Sequence, residues 1–142
     1  VPLELFVYGT LMPGHLRWPL LAGSAGRALA APGWVGGRLY DTGEGWPSAV
    51  FGPDDAGGDA PSRPVPGWHV SLEGEPAELL RSLDAMEGVS DPPRPGTDPF
   101  RRVEVGVHRG TGDGTRRAWA YEATSIGAGW VPIACWSGRP ER

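Results

Sequence analysis

The 142-residue chain contains no Lys, Asn or Gln, and its single Cys, Cys135, has no partner. Without Lys there is no Schiff base and no phosphate-loop lysine. Without Asn or Gln, a developing oxyanion must be met by backbone N–H groups, Arg or a hydroxyl. One Cys excludes an intrachain disulfide framework, and its neighbours Ala134 and Trp136 predict a packed, inert thiol. No apolar run approaches the roughly 20 residues that cross a bilayer, and the start lacks the basic and long apolar stretches of a secretory signal, so a cytoplasmic location without membrane partners is expected. Positive charge is also short: the net charge is -4 and the 13 cations, all Arg, are scattered. This leaves no basic stripe for nucleic acid. His15, His69 and His108 show no ligand spacing and no Cys joins them, so neither metal nor cofactor is expected. No Ser lies in a GxSxG elbow. The run Gly110 to Gly114 (GTGDG) is followed by strand-like sequence instead of the helix a phosphate loop requires, and reads as a hairpin turn.

The length suits one domain over residues 1–142, with a core of about 3–123 and a C-terminal cover over 124–142. Gly (23) and Pro (16) are abundant, yet seven Trp, three Phe and three Tyr can fill a core, which predicts a folded, loop-rich domain. Leu3 to Tyr8 reads as a buried strand stopped at Gly9. His15 to Leu21 allows a helical turn or two, limited by Pro19. Gly33 to Asp41 and Trp46 to Phe51 predict an antiparallel pair around a TGEG turn, and Gly52 to Pro64 a surface loop. Val65 to Leu72 resumes strand character, with Pro66 suggesting an edge or an irregular entry. The clearest helix is Glu75 to Glu87: Pro76 suits its first position, Gly88 its left-handed stop, and Leu79, Leu80, Leu83 and Met86 share one face. Phe100 to Arg109 and Arg116 to Ala123 predict a long hairpin. Mostly antiparallel strands with one clear helix indicate an α+β domain whose five or six strands can curl into a small barrel.

Two places carry possible chemistry. Tyr8-Gly9-Thr10-Leu11 follows directly on a strand, and a glycine turn with successive outward N–H groups can hold a carboxylate. Glu87, in the last turn of the expected helix, lies at the negative end of the dipole, which disfavours its ionised form by roughly 0.3–1 kcal/mol. Burial would be needed to bring it near neutrality as an acid and base. Each feature alone is more often an ordinary turn or an exposed helix end.

Together, LFVYGTLMPG, GRLYD, the Trp46-Pro47 strand, LDAMEGV, FRRVEVGV and AWAYEA, in that order, resemble the gamma-glutamylcyclotransferase-like family, in the branch of AIG2-like and gamma-glutamylamine cyclotransferase proteins. The resemblance runs from about Leu5 to Ala123. It implies a small mixed, mostly antiparallel β-barrel with flanking helices. It also implies a small-molecule gamma-glutamyl substrate held by Tyr8, Gly9, Thr10 and Leu11, and catalysis by Glu87 without metal, releasing 5-oxoproline and an amine. Asp84 is then structural. Phe100 stands where many relatives have Tyr, which removes a hydroxyl, and Tyr121 joins it as a pocket-lining candidate. A monomer or homodimer is expected. The competing expectation is a non-catalytic binding or interaction module on the same fold.

Overall fold

The computed structural model describes residues 3–23, 28–52, 62–73, 76–94, 96–109 and 114–136. Among them, seven strands form one sheet: β1 (Leu3–Val7), β2 (Ala28–Asp41), β3 (Pro47–Phe51), β4 (Arg63–Leu72), β5 (Phe100–Val107), β6 (Arg116–Ala123) and β7 (Val131–Pro132). Two helices, α1 (Trp18–Ala22) and α2 (Pro76–Glu87), accompany it. The strand order is β3-β2-β4-β1-β6-β5, with β7 on β2. All pairs are antiparallel except β1 with β6, which meet at Leu5 and Trp119. The result is a nearly closed mixed barrel. It closes where Trp34 of β2 and His108, just after β5, exchange backbone hydrogen bonds at 2.9 Å, and where Phe51 N–H at the end of β3 donates to Glu122 Oε1 on β6 at 3.0 Å, while Arg101 holds the other oxygen at 2.8 Å.

Alternation along β1 sends Leu3, Leu5 and Val7 into one apolar cluster and Phe6 into another. The first cluster receives Leu83 of α2 with Leu79, Leu80 and Met86 beside it, as their helical spacing requires. The second fills the barrel with Val35, Leu39, Val65 and Val107. Helix α2 ends in a Schellman motif: Val89 N–H donates to Asp84 O at 2.8 Å and Gly88 N–H to Ala85 O at 3.2 Å. Gly88 has φ +81°, a conformation open to glycine at little cost.

Several expectations need correction. β2 begins at Ala28, five residues before the expected start, because Ala28–Pro32 pairs with Leu72–Trp68 of β4 although its Ala-rich composition has little strand propensity. β4 is interior, between β2 and β1. Pro66 nonetheless lies beyond the end of β1, whose pairing stops at Trp68, so only β2 flanks it there. The tail contributes a strand, β7, to β2, where Tyr40 pairs with Pro132. Cys135 is exposed, not packed: the tail lays Trp136 and Ile133 against the two clusters and leaves Cys135 outward. Most of the expected 52–64 loop, Glu75, and the centre of the 110–114 turn lie outside the described residues. No helix among the described residues is long and apolar enough to cross a membrane.

Candidate functional site

The chain direction of β1 delivers Tyr8 to Leu11 to one mouth of the barrel, and the end of α2 arrives at the same place. Between them is a cavity of about 370 Å³. Tyr8, Gly9, Thr10, Leu11, Glu87, Phe100 and Tyr121 all line it, so the structure brings together every residue singled out from the sequence. Trp46, Pro47, Met86 and Arg17 complete much of the wall.

The turn after β1 is fixed by its carbonyls. Gly9 O accepts from Met12 N at 3.0 Å, and Thr10 O accepts from Arg17 N at 2.7 Å. No hydrogen bond to a described residue uses the N–H groups of Gly9, Thr10 and Leu11. A Cβ on Gly9 would sit 2.8 Å from Pro47 Cγ, so the glycine is required by the close approach of β3. The Tyr8 hydroxyl donates to Tyr121 O at 2.6 Å and is directed into the structure. Burial foremost, then the charge of Glu87, raises the Tyr8 pKa well above the usual phenol range.

Glu87 caps α2 with its carboxyl half-buried in the cavity wall. Burial holds its pKa above the ordinary carboxylate value, and the positive charge of Arg17 draws it partly back. Such a group can accept and return a proton nearer neutral pH than a solvated Glu.

Behind it, Tyr121 donates its hydroxyl to Asp84 Oδ1 at 2.6 Å. Arg102 grips the same carboxylate through Nε at 3.0 Å and a second nitrogen at 3.3 Å. The Arg102 guanidinium also lies 4.6 Å above the Trp119 ring. Asp84 therefore ties α2 to the β5–β6 hairpin one helical turn before Glu87, as its structural reading anticipated. The Tyr121 phenol is pushed far up, first by burial and then by Asp84. Because that hydroxyl is committed to Asp84, Tyr121 offers the cavity its ring. Phe100 at the start of β5 offers only hydrocarbon.

Sequence reasoning missed Arg17, Trp46 and Met86 as lining residues. Met86 was legible as the neighbour of Glu87. Arg17 carried no signal, because its approach depends on how the 12–17 segment folds back onto Thr10. Among the described residues, no three His, Cys, Asp or Glu side chains are grouped to hold a metal ion.

Comparison with known proteins gives a consistent picture. The profile of the family described as Gamma-glutamyl cyclotransferase, AIG2-like, matches residues 5–137. No curated protein matches the sequence. Among solved structures, YkqA from Bacillus subtilis is similar with TM-score 0.61 and 22% identity over 96% of this chain. This chain spans only 40% of the YkqA chain. An AIG2-like protein from Mus musculus gives TM-score 0.61 and 22% identity, covering 91% of this chain and 82% of the mouse one. A uropathogenic E. coli-specific protein gives 0.61 and 15%, covering 94% and 89%. At these identities the likeness concerns the fold.

Proposed function

Since the chain belongs to the gamma-glutamyl cyclotransferase, AIG2-like family, we propose that it releases 5-oxoproline and an amine from a γ-glutamyl amine or peptide, with Glu87 as the acid and base. The observation that carries this reading is the placement of a carboxyl with a raised pKa in one cavity with the turn whose N–H groups make no hydrogen bond to a described residue.

The chemistry is intramolecular. Glu87 takes a proton from the substrate's α-ammonium, and the freed amine attacks the γ-carbonyl carbon. A C–N bond forms to close the five-membered ring, and the bond to the departing nitrogen breaks as Glu87 returns a proton to it. The protons shed by the ammonium are those the departing amine carries away, so no net charge is left on the protein. The N–H groups of Gly9, Thr10 and Leu11 are suited to receive the carbonyl oxygen as it gains charge. Phe6, Phe100, Met86 and the Tyr121 ring bound the space in which the substrate must bend. Holding amine and carbonyl in that bent form can contribute on the order of 7–11 kcal/mol at most, so one proton carrier suffices. A non-catalytic module has no need of a half-buried Glu facing such a cavity.

The test is 5-oxoproline release from a panel of γ-glutamyl amines, γ-glutamyl dipeptides and glutathione. Release is expected from the protein and is expected to fall by at least about 100-fold in Glu87→Gln while circular dichroism stays unchanged. Release that survives the substitution removes Glu87 from the role, and no release from any member favours the binding module.

A further inference from the structure

A γ-glutamyl group presents three polar points: the α-ammonium, the γ-carbonyl oxygen and the α-carboxylate. The proposed cyclotransferase reaction, on which the role inferred here for Arg17 rests, gives the first to Glu87 and the second to the turn after β1. The third is a permanent charge and must be met by something other than apolar wall, because an unpaired carboxylate in a half-enclosed cavity is strongly disfavoured.

Among the described residues, one cation lines the cavity, Arg17. The two Arg residues on the neighbouring β5 strand are committed elsewhere, Arg101 to Glu122 and Arg102 to Asp84. The Arg17 guanidinium makes no hydrogen bond or ion pair with any described residue, although its backbone is fixed to Thr10. It is therefore the charge of a half-buried residue, held in place at its backbone and without a partner among the described residues. Its field reaches Glu87, yet the two groups do not come within the 4.0 Å of an ion pair. A separated cation and anion facing one cavity match a zwitterion, whose carboxylate and ammonium sit on a single carbon.

We infer that Arg17 is the specificity-determining residue of the site, binding the α-carboxylate of the γ-glutamyl group while Glu87 addresses the ammonium on the same carbon. In this arrangement the turn serves the reacting carbonyl, and a side chain six residues beyond it recognises the amino acid head. A guanidinium suits this task because its planar fork meets a carboxylate with two parallel N–H donors.

The experiment compares two lactams that differ only in the carboxylate, 5-oxoproline and 2-pyrrolidinone. Their binding is followed by titration of indole N–H resonances, with Trp46 assigned by substitution, in the unsubstituted protein and in Arg17→Gln, Arg17→Lys and Glu87→Gln. The unsubstituted protein is expected to prefer 5-oxoproline, and Arg17→Gln to lose that preference by on the order of 10- to 100-fold. Arg17→Lys is expected to restore part of it, and Glu87→Gln to keep the preference despite losing turnover. In kinetics, Arg17→Gln is expected to raise KM more than it lowers kcat. If Arg17→Gln keeps the full preference while the unsubstituted protein still forms 5-oxoproline, the assignment of Arg17 is overturned and the cyclotransferase reading stands. If the unsubstituted protein neither releases nor binds 5-oxoproline, both fall together.

Discussion

Glu87 experiences two environments that favour its neutral form: the apolar wall of the cavity and the C-terminal end of α2. Its folded pKa therefore lies above its unfolded one, and the native state binds this proton more readily than the unfolded chain does. Between the unfolded value, near 4.5, and the raised folded value, stability is lost as pH rises. Above both, Glu87 destabilises the fold relative to a neutral side chain. Glu87→Gln is accordingly expected to melt at a higher temperature than the unsubstituted protein at pH 8, with the difference closing as pH falls below about 4.5. A thermal-melt series from pH 4 to 8 checks it, and a constant offset would mean that Glu87 is solvated. Asp98 has the opposite sign. Ser90 Oγ at 2.6 Å and the N–H groups of Arg94 and Ser90, each at 2.9 Å, hold its pKa low. Its contribution is present above the unfolded value and lost as pH falls through the folded one. Asp98→Asn should lower the melting temperature at pH 7 and have little effect at strongly acidic pH.

The end of α2 is a single device that both stops the helix and aims Glu87. Gly88 takes φ +81°, and a Cβ there would meet Pro99 Cγ at 2.9 Å. Gly88→Ala is therefore expected to cost about 1–3 kcal/mol in a denaturant titration, more than the usual left-handed penalty alone. It should also depress turnover beyond what the lost stability explains, because Pro99 and Phe100 form the facing wall. Upstream, Leu83 anchors the same helix at 2% exposure in the first cluster, and Leu83→Ala should cost about 2–5 kcal/mol. The helix itself was readable because propensity, Pro at the start, Gly at the stop and a 3.6-residue apolar period agree. The early part of β2 was not, because nothing in Ala28–Pro32 favours a strand until β4 lies beside it.

For the whole molecule, the barrel closes through a backbone bridge between Trp34 and His108, with both hydrogen bonds at 2.9 Å, and through a carboxylate. Glu122, 6% exposed, joins β3 to β6 through Phe51 N–H and is steadied by Arg101. Glu122→Ala leaves that N–H without an acceptor, an expected loss of about 1–3 kcal/mol, and Glu122→Gln should restore part of it through its amide oxygen. Hydrogen exchange at Phe51 should quicken in the Ala variant more than at Val70, which is fully buried on β4. Equal quickening at both positions would show that the barrel opens as a unit.

Glu87 and the Tyr8–Leu11 turn were legible in the sequence because each sits at an abrupt change of local pattern, strand to glycine or helix to glycine. Such boundaries are set by backbone conformational preferences within a few residues. Those preferences also determined most elements, and the absent residue types narrowed the chemistry before any fold was known. Only the tertiary structure decided which distant segments share a cavity. It placed Arg17 and Glu87 in one cavity, turned the Tyr8 and Tyr121 hydroxyls inward, gave Asp84 to Arg102, and made the tail a strand on β2. Side-chain partnership between residues far apart in the chain depends on sheet register and closure, which no local pattern encodes.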